Sequence, residues 1–319
     1  AVAVFIVLSG YCLMLPLVRE RPERLTPAFG VFLRRRALRI LPPYFVALFG
    51  SLLLIYGVGP LRTGNTGTMW DDSLPALELG PILSHVALVH NWTPGFTHRI
   101  NGPLWSVATE WQIYFCFPLL LLPVWRRFGM PGALAAAALC GYAPLLIAPE
   151  AAASAVSWYL VLFTFGMSAA AVGFSSDERR PLDAAWPWSI IAAGSWALCG
   201  AFALGAATIW FRLKPLTDVL IGFATAATLV YLTGRAATET RGVPLRLLES
   251  KPLVAIGHFS YSLYLTHLPV VALLWRALAP LGVSPLVNAW VLLGVSTLAS
   301  LAVAYVFHRA IERPSMAWR

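Results

Sequence analysis

The sequence predicts an all-α integral membrane protein, a polytopic helix bundle, and three observations carry that prediction. Of its 319 residues 59% are hydrophobic and only 12% charged, whereas about a quarter of a soluble domain is charged. Mean hydropathy is +0.72. Apolar runs of about 18 residues or more recur along the chain, each enough to cross a hydrocarbon core about 30 Å thick.

Nine spans follow, at 1–18, 40–58, 103–124, 131–149, 154–173, 186–206, 216–234, 254–275 and 287–307. The chain opens "AVAVFIVLSGYCLMLP", without an initiator methionine or the basic flank and cleavage site of a signal peptide. An odd number of spans sets the two ends on opposite sides. We therefore expect one earlier helix, ten spans in the full-length protein, and residues 1–319 as a single membrane domain lacking that first helix. After the first span, Thr26 suits a helix cap and Pro27 the first helical position. Phe29, Phe32 and Leu33 would give residues 19–39 an apolar stripe suited to the membrane interface.

The connection 59–102 is rich in Gly, Pro, Thr, Asn and Trp, and its "PILSHVALVH" is too short to span. It reads as a re-entrant or surface piece. The connectors "FSSDERRPLDAAWP" and "TGRAATETRGVPLRLLESKP" read as ordinary polar loops, and Ala-rich runs such as "GALAAAALCG" as close helix contacts. No internal repeat argues for an inverted-repeat transporter. The four cysteines fall inside spans without metal spacing and read as small packing residues. No disulfide framework and no metal site are expected.

The net charge of +9 would suggest nucleic acid in a soluble chain, but its distribution points elsewhere. Alternate connections place 18 of the 23 basic residues on one side and 5 on the other, which is the positive-inside pattern. The partner is a lipid bilayer and not nucleic acid, with the C-terminus on the cytoplasmic side.

Ionisable groups inside a membrane are costly, so each is a candidate site. In "NGPLWSVATEWQIYF", Ser106, Glu110 and Tyr114 stand at i, i+4 and i+8 on one helix face. In "HFSYSLYLTHLPV", Ser260, Tyr264 and His267 form a second polar stripe. Glu110 and His267 fall at similar depth, where carboxylate and imidazole can share a proton or orient a nucleophile, or merely bond two helices together. In "FLRRRALRILPPY", Arg35, Arg36 and Arg39 (with Arg34 beside them) can grip one phosphate-rich anion. Topology and anionic lipid are the other readings. His85, His90 and His98 lack metal-ligand spacing and read as solvated or loop-packing. His308, Arg309, Glu312 and Arg313 read as an ion-paired anchor.

In this order "VFIVLSGY", "FLRRRALRILPPY", "NGPLWSVATEWQIYFCFPLLL", "FSYSLYLTHLPVV" and "IERP" resemble the membrane-bound acyltransferase-3 family, from residue 1 to about residue 314. The resemblance implies a bacterial cytoplasmic-membrane enzyme moving acyl groups, commonly acetyl, from acyl-CoA to hydroxyls of sugars, surface polysaccharides or macrolides. Acyl-CoA (acetyl-CoA) is then a co-substrate, with no bound cofactor. It assigns Arg35, Arg36 and Arg39 to the CoA phosphates, and Trp105, Ser106 and Glu110 to the acceptor side. It matches Ser260, Tyr264 and His267 to the late Ser-Tyr-Ser-x-Tyr-Leu-x-His motif. Its main catalytic His is expected on the preceding helix, with Glu110 and His267 in support and Tyr114 on the same polar face. Two other readings stay open: a proton-coupled transporter or flippase of a glycan or lipid-linked substrate, and an inactive scaffold.

Overall fold

A computed structural model describes residues 2–19, 29–63, 69–174, 186–205, 213–237, 242–278 and 285–317. Among these no strand forms, and the main helices are α1 (Val2–Arg19), α2 (Phe29–Gly57), α3 (Leu79–Val86), α4 (Leu104–Cys116) and α5 (Leu122–Ile147). They continue with α6 (Tyr159–Phe174), α7 (Trp188–Gly205), α8 (Lys214–Ala237), α9 (Lys251–His258), α10 (Ser260–Leu278) and α11 (Pro285–Phe307). Among the described residues helix makes up most of each stretch predicted to span, with breaks at 156–158 and at Phe259. By length and hydropathy five of the described helical runs are able to cross a membrane, or six if Pro149–Ala155 and α6, bent by 42°, count as one.

The breaks lie where the backbone requires them. Pro118 has no N–H for the Tyr114 carbonyl, and the chain widens into a π turn over Phe117–Leu121. The long run from α4 ends its first leg at Gly129, whose φ of 68° suits a residue without Cβ. Pro131, two residues on, fits the first turn of the next leg. This divides the two spans predicted at 103–124 and 131–149.

Two expectations are corrected. Residues 19–39 do not form a separate interfacial helix: from Phe29 the chain is one helix through Gly57, carrying Pro42 and Pro43 inside it. At 29 residues it measures roughly 43 Å, longer than the apolar core, so its arginine-bearing turns extend beyond the hydrocarbon. Thr26 and Pro27 lie outside the described residues. The span expected at 254–275 is broken: α9 ends at His258 and α10 begins at Ser260. The cysteines are free, as expected, with Cys199 buried while Cys12 and Cys140 are exposed on the helix surfaces.

The chain forms two compact units, Ala1–Gly30 with Gln112–Leu248, and Val31–Trp111 with Glu249–Arg319. In the first unit α1 packs along α6, and α8 along α6 and α7. The α1–α6 contact is backbone against backbone. A Cβ on Gly10 would strike the Phe163 carbonyl, and one on Gly166 the Val7 carbonyl. Such small-residue seams drive helix pairing in lipid, where apolar burial gives no net gain. Tyr11 and Thr233 tie α1 to α8 through their hydroxyls at 2.8 Å. Asp218, near the start of α8, is buried and accepts from Trp158 Nε1 at 3.0 Å.

The second unit pairs α10 with α11 and includes the described residues of the segment 59–103. That segment is anchored from within. Trp70 is buried and donates to the Leu61 carbonyl at 3.0 Å. Asn101 Nδ2 donates to Ser51 Oγ of α2 at 3.1 Å and to the Leu265 carbonyl of α10 at 3.0 Å. Asn91 Nδ2 donates to Thr109 of α4 at 3.0 Å. Ile100, immediately before Asn101, is held at φ 69°, a backbone region that β-branched residues occupy only when neighbours force it.

Candidate active site

In the second unit the two stripes read from sequence meet. Ser106 Oγ of α4 donates to the Tyr264 hydroxyl of α10 at 2.7 Å, with the Pro103 carbonyl at 3.3 Å. Ser106 and Glu110 are both buried, one helical turn apart. The Glu110 charge acts on the Tyr264 phenol.

His267 lies one turn further along α10. Its Nδ1 bonds to the carbonyls of its own preceding turn, Tyr264 at 2.8 Å and Leu263 at 3.2 Å. Carbonyls only accept, so Nδ1 is the donor here, and in the neutral imidazole the lone pair is on Nε2.

Two cavities converge on this pair. One, of about 430 Å³, runs between α10 and α11 past Ser260, Leu263, Ser296, Thr297 and Ser300. The other, of about 230 Å³, is bounded by Met69, Asp72, His98 and Trp105. Tyr264 and His267 line both. The imidazole therefore stands at the junction of a hydroxyl-lined groove and a cavity walled by an aromatic ring and a carboxylate.

The other residues singled out from sequence take different places. Trp105 walls the smaller cavity, with the His98 ring edge-on to it at 6.5 Å. Ser260 donates to the Gly257 carbonyl at 2.9 Å, closing the α9–α10 break, and also lines the larger cavity. Tyr114 belongs to the first unit, where it is buried and bonds Ser9 of α1 at 3.1 Å. Arg35, Arg36 and Arg39 sit on neighbouring turns near the start of α2. Arg35 and Arg39 are exposed, whereas half-buried Arg36 lies over the Phe32 ring at 5.9 Å. Directly after Arg39, the Tyr261 hydroxyl of α10 donates to the Ile40 carbonyl at 3.0 Å, beside the two prolines that interrupt the α2 ladder.

Three features are new. The hydroxyls of Ser296, Thr297 and Ser300 were visible in "LLGVSTLASLAV" at i, i+1 and i+4, a spacing we gave no weight. Asp72 carries no signal, since its place depends on how the 59–103 segment folds. Glu312 is buried, accepts from Ser262 and faces His308 Nδ1 at 3.0 Å. It locks the start of α10 to the π turn His308–Glu312 and is not a loose surface anchor.

His85 and His90 take the packed alternative of the two that the sequence left open. Neither is solvated: both are fully buried, their rings stacked at 3.7 Å and within 9° of parallel. His85 Nδ1 donates to the Pro81 carbonyl at 2.8 Å, while its Nε2 and both nitrogens of His90 lack a hydrogen-bond partner among the described residues. Burial pushes His85 down to about 4, and His90 down to about 2 with repulsion from His85 adding to it. The pair is a neutral packing element. Among the described residues no cluster of three His, Cys, Asp or Glu is able to hold a metal.

Comparison with known proteins joins this geometry to a lineage. The acyltransferase-3 profile, described as an acyltransferase domain, matches residues 1–309. "Acyltransferase MdmB" of Streptomyces mycarofaciens is 27% identical over 99% of this chain and 80% of its own length. "Regulator of hypoxia-inducible factor 1" of Caenorhabditis elegans is 28% identical over 120 residues, 38% of this chain and 22% of its own. No solved structure matches. A match through nearly the whole of a helical membrane bundle, motif by motif, leads to one conclusion: the chain belongs to the membrane-bound acyltransferase-3 family and is an O-acyltransferase enzyme.

Proposed function

We propose that this enzyme transfers an acyl group, acetyl in the simplest case, from acyl-CoA to a hydroxyl of a sugar, surface glycan or macrolide-type acceptor. It works in a bacterial cytoplasmic membrane, with its C-terminus in the cytoplasm. The single observation that carries this is the convergence of two cavities on Tyr264 and His267, with His267 Nε2 left as a base.

The arginines at the start of α2 suit the CoA phosphates, since guanidinium forks bind phosphate without losing charge. The larger cavity suits the acyl-bearing arm and the smaller one the acceptor. As the acceptor oxygen attacks the thioester carbonyl, its proton passes to His267 Nε2. A C–O bond forms, the C–S bond breaks, and the departing sulfur takes up that proton to leave an ester and free CoA thiol. Tyr264 accepts from Ser106, so its own proton is available to the carbonyl oxygen as negative charge develops there. Glu110, one turn beyond Ser106 on the same face of α4 and buried, is the nearby carboxylate of this pair.

The test uses purified full-length protein, labelled acetyl-CoA and a glycoside acceptor, with no ion gradient. We expect labelled ester to form. His267→Gln should slow transfer by about 10²–10⁴, the usual worth of a general base, and Arg35→Ala with Arg39→Ala should raise the KM for acetyl-CoA. Absence of product without a gradient would sink the proposal and favour a transporter.

A further inference from the structure

The smaller cavity has a chemistry of its own. Its walls are the Trp105 ring, the Tyr264 phenol, the Met69 thioether and the Asp72 carboxylate, with His98 at the side. Neither Arg nor Lys lines it. Asp72 forms no ion pair among the described residues.

Asp72 is also well placed. It sits in the short 3-10 turn Asp71–Ser73, between two fixed neighbours. Trp70 is buried and bonded to the Leu61 carbonyl at 3.0 Å, and the Ser73 carbonyl accepts from Ile100 N at 2.9 Å. The basic residues of this segment lie off the lining, and Arg99 is turned to the Gly95 carbonyl at 2.8 Å. An exposed carboxylate, two aromatic side chains and a polarisable sulfur around one small space, with two histidines but no Arg or Lys in the wall, form an environment that attracts positive charge when those histidines are neutral. A neutral polyol would gain little from that arrangement. A hydroxyl carried next to an ammonium would gain both the ion attraction and the ring quadrupoles.

We infer that the acceptor cavity selects an alcohol bearing a cationic nitrogen, such as an amino-substituted sugar, with Asp72 and Trp105 as the residues that select it. This rests on the acceptor role given to the cavity above, but its test needs no acyl transfer. Choline and 3,3-dimethylbutan-1-ol are isosteric alcohols that differ in charge. Their equilibrium binding to the full-length protein, without acyl donor and at low salt, reads the selection directly. Choline should bind about fivefold tighter or more than the neutral alcohol, the range expected of a partly desolvated cation–π site with a carboxylate. Asp72→Asn and Trp105→Leu should each bring the ratio close to one, and Asp72→Glu should restore it. Equal binding of the two alcohols, or a choline preference that survives Asp72→Asn, would overturn the inference. Either result would leave the acyltransfer proposal standing, because that is read separately from labelled ester.

Discussion

The two units of this protein use their polar groups in opposite ways. In the first, nearly every buried polar group described has a protein partner whose only consequence is packing: Asp218 with Trp158, Tyr11 with Thr233, Ser9 with Tyr114. Its α1–α6 seam is a contact between glycine faces, with no room for a cavity. In the second unit buried hydroxyls and amides hold helices apart around open space, and Tyr264 and His267 face two cavities. Both arrangements answer the same constraint, that polar groups in hydrocarbon need partners. The first unit answers it with close-packed helices, and the second with helix positions fixed around a reaction space.

Three substitutions break or sharpen that contrast. The largest effect belongs to Gly166→Val, because a branched side chain there meets the Val7 carbonyl and not a side chain that can move. We expect a loss of about 3 kcal/mol or more, seen as failure to recover folded protein in detergent. Recovery at wild-type yield and melting temperature would show that the seam is not as close as described.

Asn101→Ala comes next. It leaves Ser51 Oγ and the Leu265 carbonyl without the donor they share, at a cost of about 2 kcal/mol. Since Asn101 joins α2 to α10 next to the cavity walls, acyl transfer should fall with the melting temperature. An unchanged rate would mean that the site keeps its shape without this link.

The smallest effect is on acid stability. Unfolded histidines take up protons near pH 6.5, whereas folded His85 does so only at about 4 and His90 at about 2. Between those values the unfolded state binds more protons, so stability is complete above pH 6.5 and falls as pH drops below it. Replacing His85 by Phe keeps the stack and removes one of the two protons. The variant should lose less stability than wild type between pH 7.5 and 5, and parallel losses would show that the pair takes no part.

Much of this was legible in one dimension. Helix positions followed from apolar runs, because only helices close their backbone bonds within a span. The pairing of α4 with α10 was anticipated by two stripes at helical spacing, since Ser106, Tyr264 and His267 had to share their faces. The place of Tyr114 was not anticipated: it stands on the same face as Ser106 but bonds Ser9, and helical spacing gives a direction, not a neighbour. Asp218 was visible in its span and overlooked. For His85 and His90 the sequence left solvated and loop-packing readings open, because polarity in a connecting segment says nothing of whether that segment folds inward, and the structure takes the packed one.

By itself, then, the sequence determined membrane residence, the helices, the arginine cluster and the two polar stripes of α4 and α10, because hydropathy, charge and 3.6-residue spacing are local properties. Only the tertiary structure decided which stripe met which, that α2 runs unbroken through its two prolines, and that Asp72 and the α11 hydroxyls share walls with His267. The meeting of Ser106 with Tyr264 and the place of Asp72 beside His267 depend on residues more than a hundred positions apart being held close together. That proximity is set by packing and by long-range bonds such as Asn101 to Leu265, which no spacing along the chain records.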